Sequence, residues 1–278
     1  MCRILPQKPR HLDNGSGVTL ISCYIRTLNE EQRLPHVLKA VGCITDDVVV
    51  VDSGSHDQTI KIAKAHGARV IEQSWLGNGF QKRVGEQACK HDWVLDLDAD
   101  EILTKGLIAE IKQVMARNPS IDEVFGLRLI TVPPYGKPWY NFAVDERYKL
   151  YNRQFVQMPE HKAWDQLELP VNTKTTTFAG DLLHYSFSGI AQMSDKWNKV
   201  SSRRVEGGKL KSQPSVIFRV LFAGPFYFFK NYVLKGLWRA GLYGFAISVV
   251  GAHGRWLRDV KMLERHMEKQ GKKNTNFE

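Results

Sequence analysis

The stretch "DWVLDLDADEIL" (Asp92–Leu103) runs a buried-strand pattern straight into a set of carboxylates. Trp93, Val94, Leu95 and Leu97 supply the apolar positions of a strand. Asp96, Asp98, Asp100 and Glu101 supply the charge. Alternate side chains of a strand share a face, so Asp96, Asp98 and Asp100 are expected on one side, opposite Leu95, Leu97 and Ala99. Like charges that close raise one another's pKa and destabilise the fold unless a cation neutralises them. Mg2+ or Mn2+ suits this role, because both prefer hard oxygen ligands. The competing reading is a strand ending in an acidic turn, with Asp100 or Thr104 capping the helix "TKGLIAEIKQVMARN". Asp96, deepest in the strand, is expected to serve the scaffold, and Glu101 to open the next helix.

Upstream, the same alternation of elements repeats. "VTLISCYI" is a short apolar run of strand type. "NEEQRLPHVLKAVG" reads as a helix, with Asn29 as its N-cap, Glu30 and Glu31 in its first turn and Gly42 at its end. "DVVVVDSGSHDQT" is a buried strand followed by a polar turn. "QTIKIAKAHG" is a helix stopped by Gly67, "ARVIEQ" a strand and "GFQKRVGEQACKH" a helix. Strands alternating with helices imply an α/β fold, a mostly parallel sheet flanked by helices with right-handed crossovers. Ligands bind beyond the carboxyl ends of such strands. The polar residues collect there: Thr27 and Asn29, then Asp52 and Ser53, then the Asp98–Glu101 group. Neither GxGxxG nor a Walker spacing is present, so a dinucleotide dehydrogenase or P-loop ATPase is not expected, and carboxylate-bound metal is the expected phosphate holder.

The 278 residues, 43% hydrophobic and 24% charged, describe an ordinary globular chain. Residues 1–17 read as a flexible polar leader without the apolar core of a secretory signal. Four scattered cysteines without a CxxC pair fit a reducing cytosol. The net charge of +10 is unevenly placed: residues 1–195 hold 22 Lys and Arg against 24 Asp and Glu, whereas residues 196–278 hold 17 against 5. That basic segment is also rich in Phe, Tyr and Trp. Arg219, Pro225, Lys230, Lys235 and Arg239 interrupt every window long enough to span a bilayer. In-plane helices on an anionic membrane surface fit the pattern, as does a hairpin packed on the catalytic domain. No nucleic-acid recognition motif accompanies the charge.

Taken in order, "YIRTLNEE", "VVVVDSGSHDQT", "WLGNGFQKRVGEQA" and "DWVLDLDADE" resemble the inverting GT-A glycosyltransferases of family 2. The similarity is greatest to the bacterial branch that adds glucose to heptose in the lipopolysaccharide core, and it runs from about Val18 to about Glu264. The resemblance implies a Rossmann-like GT-A domain over residues 18–212, with a nucleotide-sugar half (18–131) and an acceptor half (132–212). A membrane-associating region follows at 213–278. It implies a UDP-sugar pocket formed by Thr27, Asn29, Glu30, Asp52, Ser53, Trp75, Asn78, Gln81, Lys82 and Asp98, with Arg83 where the family has asparagine. Asp98 and Asp100 match the metal-binding DxD pair, and His184 in "GDLLHYSFSGI" matches a late metal ligand.

The acceptor half must hold a base that takes the proton from the attacking hydroxyl. "PEHKAWDQLEL" offers Glu160, His161, Asp165 and Glu168. The resemblance assigns Asp165, with Trp164 in place of the family's histidine. The implied reaction is metal-dependent transfer of a hexose, glucose by family weight, from a UDP-sugar to a lipid-linked saccharide at the cytosolic face of the inner membrane. A polyprenyl-phosphate acceptor, or an inactive protein that only binds nucleotide sugars, are the alternatives. A nucleotidyltransferase needs a glycine-rich basic loop that "YIRTLNEEQR" does not supply.

Overall fold

A computed structural model describes residues 19–206 and 208–271; the leader expected at residues 1–17 lies outside them. Four parallel strands form the first half of one sheet: β1 (Ile21–Thr27), β2 (Asp47–Asp52), β3 (Arg69–Glu72) and β4 (Trp93–Asp98). They stand in the order β3-β2-β1-β4. The connections are helices α1 (Leu34–Val41), α2 (Thr59–Ala65) and α3 (Asn78–Ala88). The second half is mixed. It contains β5 (Glu101–Leu103), α4 (Lys105–Ala116), β6 (Glu123–Thr131), β7 (Asp145–Asn152) and β8 (Lys174–His184). The sheet continues β4-β7-β6-β8-β5; β7 is antiparallel to β4 and β6, β8 parallel to β6, and β5 antiparallel to β8.

Strand alternation divides the core into two layers. Cys23, Ile25, Val48, Val50, Leu95 and Leu97 pack on one face of the sheet. Tyr24, Val49, Val51 and Val94 pack on the other. Asp96 and Asp98 are in step with Val94 and Tyr24, as the period of two requires. The first face is wholly apolar through β4, so the carboxylates have only the second face to occupy.

Three local expectations are corrected. Asn29 is not the N-cap of α1: the helix starts at Leu34, with Pro35 in its first turn and no acidic residue there. Proline fits that position because its φ is preset and it has no N–H to leave unpaired. Residues Glu30–Arg33 form a turn instead, with the Arg33 and Leu34 N–H groups donating to the Glu30 carbonyl. Glu101 does not open a helix but lies in β5. Thr104 caps α4, accepting from the Leu107 N–H at 3.3 Å. Asp100 sits in the turn between β4 and β5, past the end of the strand face.

The chain ends in helices α5 (Ile190–Glu206), α6 (Gln213–Phe229) and α7 (Gly241–Lys269). A π-helical turn at Lys230–Leu234 and a 3-10 turn at Leu237–Ala240 separate the last two. Trp139, in the loop between β6 and β7, and Phe187, after β8, join Met193 of α5, Leu237 and Ile247 in one apolar cluster. Arg219 forks onto the fully buried Asp259 at 2.9 and 3.1 Å, fastening α6 to α7. The hairpin is therefore packed along one side against the segments that follow β6 and β8. Among the described residues no single helix is long and apolar enough to cross a membrane; α6 and α7 pass only as a pair bent by 75°.

Candidate active site

The β5–β8 pairing builds the centre of the site. Its register sets Glu101 opposite His184. The preceding turn residue, Asp100, then meets the imidazole, with Oδ2 3.5 Å from Nε2. Burial pushes the His184 pKa down, but the Asp100 hydrogen bond and charge outweigh it, and the net shift is upward. For Asp100 burial pushes up and His184 pulls down, with a net downward shift. Two residues distant in sequence thus form an acid–imidazole pair beyond the carboxyl end of β4.

The other carboxylates are neutralised from within the protein. Buried Lys82 donates to Asp96 at 2.8 Å, so Asp96 is the scaffold member expected of it. Buried Lys149 on β7 donates to Glu101 at 2.8 Å and lies 3.8 Å from Asp96. Glu101 in turn accepts the backbone N–H of Asp98 at 2.9 Å, which orients the Asp98 turn. Arg26, the β1 residue in register with Asp98, brings Nε and Nη2 to its carboxylate at 3.0 and 2.9 Å. Burial alone raises the Asp98 pKa, yet Arg26, Lys82 and Lys149 hold it well below the usual carboxylate range. The charge problem posed by the acidic run is therefore met by three cations on three different elements.

Asp98 and His184 line two cavities. The first, about 520 Å³, is also lined by Thr27, Glu30, Ser53, Trp75, Asn78 and Asp100, with Arg26, Lys196 and Arg203 as its cations. Thr27 is 3% exposed, and its hydroxyl has no partner in the protein. The Arg203 guanidinium lies 5.0 Å from the Trp75 ring centre. The second cavity, about 350 Å³, is lined by Asp165, Gln166, Asp145, Glu146 and Arg147 as well as Lys82 and Lys149.

Of the expected donor residues, Thr27, Glu30, Ser53, Trp75, Asn78 and Asp98 are thus brought together, and Lys82 lies on the other cavity. Asn29, Asp52 and Gln81 support the walls. Asp52 is fully buried, accepting from the Gly54 and Ser55 N–H groups at 2.9 and 2.7 Å and from the Ser55 hydroxyl at 2.5 Å. Gln81 is also fully buried and donates to Ser53 Oγ and the Gln73 carbonyl, both at 2.9 Å. Asn29, at φ +54°, accepts the His56 N–H at 2.9 Å.

"WLGNG" holds the loop that carries Asp165. Asn78 and Gly79 donate their N–H groups to the Lys162 and His161 carbonyls at 2.9 and 3.0 Å. Gly77 has φ +135°, and a Cβ there falls 2.5 Å from Lys162 Cα; one at Gly79 falls 2.1 Å from the Pro159 carbonyl oxygen. Arg83 ties the start of this loop, donating to Glu86 at 2.9 Å and to Gln157. Asp165 Oδ2 then rests 3.4 Å from Arg26 Nη1 and 3.9 Å from Lys82. Arg26 consequently spans Asp98 of the first cavity wall and Asp165 of the second. Glu160 is exposed at the loop's start, and His161 Nδ1 accepts the Ala163 and Trp164 N–H groups at 3.0 and 2.8 Å. The rival base candidates are thus outside the second cavity.

Among the described residues no group of three or more His, Cys, Asp or Glu is arranged to hold a metal ion. Asp100 and His184 do suit an ion that takes the rest of its shell from phosphate oxygens and water, the usual habit of Mg2+. Asp98 is engaged by Arg26 instead. Sequence reasoning missed Arg26, Lys149 and the role of Glu101. Only Arg26 carries a signal, a lone charge in an otherwise apolar strand; Lys149 lies in a strand with three other charged residues.

The glycosyl transferase family 2 model matches residues 22–178. An uncharacterized glycosyltransferase of Rickettsia conorii is 31% identical over 264 residues, covering 92% of this chain and 94% of the relative. The lipopolysaccharide core biosynthesis glycosyltransferase LpsC of Rhizobium meliloti is 28% identical over 88% of this chain and 93% of its own length. The crystal structure of S. aureus TarS 1–349 in complex with UDP-GlcNAc superposes with a TM-score of 0.46 at 15% identity, covering 92% of this chain and 93% of that one.

Proposed function

The chain belongs to glycosyl transferase family 2, and on that premise we propose that it transfers a hexose, with inversion, from a UDP-sugar to a lipid-linked saccharide of the lipopolysaccharide-core type. Its GT-A fold and its standing as a glycosyltransferase follow from the family. The observation that carries the finer reading is the shared wall: Asp98 and His184 border both cavities, with Asp165 in the second. The first cavity takes the donor. Thr27 and Ser53 offer hydroxyls to the nucleotide, and Lys196 and Arg203 meet the diphosphate charge. Asp100 and His184 are the residues that would hold Mg2+ or Mn2+, which when bound neutralises charge on the departing diphosphate. Asp165, on the far side of the wall, takes the proton from the acceptor hydroxyl. Arg26 positions it by bonding Asp98 and Asp165 at once. Attack from that side in one displacement gives a β product from an α-linked donor.

The similarity to a lipopolysaccharide core glycosyltransferase supports the acceptor class. The test is a panel of labelled nucleotide sugars with Mn2+, incubated with the chain and a bacterial lipid extract. Label from a UDP-hexose entering the lipid fraction, and lost on chelation, is the expected result. Transfer that persists with EDTA, or a nucleotide other than UDP as sole donor, contradicts the reading.

A further inference from the structure

We propose that the outer face of the α6–α7 hairpin docks on an anionic lipid bilayer and holds the mouth of the acceptor cavity at that surface; this rests on the lipid-linked acceptor proposed above. Helix α6 is reversed relative to an ordinary surface helix. Its inward face carries the small or modest residues Val216 and Ala223. Its outward face carries Phe218, Leu221, Phe222 and Phe226, each between 55% and 65% exposed. The stripe continues through Leu234, Trp238 and Leu242, the last 90% exposed. A contiguous exposed apolar surface of this kind marks an interaction site.

Charge selects the occupant. Lys209, Lys211, Lys230, Lys235 and Arg239 are exposed in the same segment, within a region holding 17 basic against 5 acidic residues. A second copy of the chain would set like charge against like. Anionic head groups complement it, while aromatic and aliphatic side chains enter the acyl boundary. Neither helix is long and apolar enough to span a bilayer alone, and the two together are bent by 75°; the docking proposed lays their outer face along the bilayer surface.

The break between the helices links this surface to the catalytic half. The Lys235 carbonyl accepts the Ala143 N–H at 3.0 Å, and its ammonium lies 3.6 Å from Asp145. Leu237 shares a core cluster with Trp139 and Phe187. Asp145 itself lines the cavity that holds Asp165. A bilayer under Leu234 and Trp238 is therefore one short loop from the acceptor cavity.

The test is co-sedimentation of the full chain with vesicles of phosphatidylcholine alone or mixed with phosphatidylglycerol. The wild type should bind the anionic vesicles at least tenfold more tightly than the neutral ones. The variant Leu221→Glu/Phe222→Glu should lose at least tenfold in that binding at unchanged thermal midpoint. Brominated acyl chains should quench tryptophan emission, and Trp238→Phe should remove most of that quenching. UDP binding, read in the same preparations, separates a failed donor site from a failed docking surface. Wild-type protein that stays in the supernatant, a variant that sediments like the wild type, or a wild-type dimer that the double variant breaks would overturn the proposal.

Discussion

At the scale of single residues, the site is decided by which cation meets which carboxylate. Lys82 and Asp96 are both almost fully buried, and Asp96 Oδ1 has no partner at all. Removing one member of such a pair strands a charge, so Lys82→Met should cost about 3–5 kcal/mol in urea unfolding, and Lys82→Met/Asp96→Asn should recover much of it. Asp47 gives a pH signature away from the site. Burial raises its pKa, but hydrogen bonds from the Ser22 hydroxyl (2.6 Å), the Lys90 N–H (2.8 Å) and Arg69 (2.7 Å) win, and the net shift is downward. A depressed folded pKa means the contribution is present above the unfolded value of about 3.9 and is lost as pH falls through the folded value. The stability gap between wild type and Asp47→Asn, about 1–3 kcal/mol at pH 7, should therefore close below pH 4 in chemical denaturation. Legibility at this scale was uneven. Asp96 could be read as scaffold from its depth in the strand, but Arg26 could not be assigned until β1 and β4 were neighbours in register.

At the scale of elements, two short pieces place the chemistry. β5 is three residues long and lies inside an acidic run that reads as a turn and helix start, so no periodicity announces it. Its pairing with β8 nevertheless brings His184 to Asp100. The parallel half was legible because each buried strand is a run of apolar residues ended by polar turn signals. The mixed half was not, since β6, β7 and β8 have no such alternation with helices. The second piece is "WLGNG" against the Asp165 loop. Gly79→Ala would place a Cβ 2.1 Å from the Pro159 carbonyl oxygen and 2.6 Å from that of Trp164. The loop must move, and a misplacement of about 1 Å can cost about 10²-fold. Transfer rate should fall by about that factor while UDP affinity stays within about twofold, a split that steady-state kinetics beside calorimetry will reveal.

At the scale of the whole molecule, two cavities share a wall, and the basic α6–α7 hairpin packs beside them. Residues of both expected halves, 18–131 and 132–212, line each cavity: His184, Lys196 and Arg203 join the first, and Lys82, Asp96, Asp98 and Glu101 the second. The expected boundary at 213 is crossed by the cluster joining Trp139, Met193, Leu237 and Ile247. Composition revealed the basic region because charge is additive along the chain, whereas which side of each helix packs inward is a tertiary fact. In the reaction proposed above, Asp165 is the base and works from the acceptor side of the donor cavity. Asp165→Asn keeps the shape and removes the base, and general-base catalysis contributes about 10²–10⁴-fold. The most direct measurement pairs UDP-sugar affinity with single-turnover transfer in wild type and Asp165→Asn. Unchanged donor affinity with transfer reduced at least 100-fold is predicted; transfer at the wild-type rate, or donor binding lost together with it, would contradict the assignment.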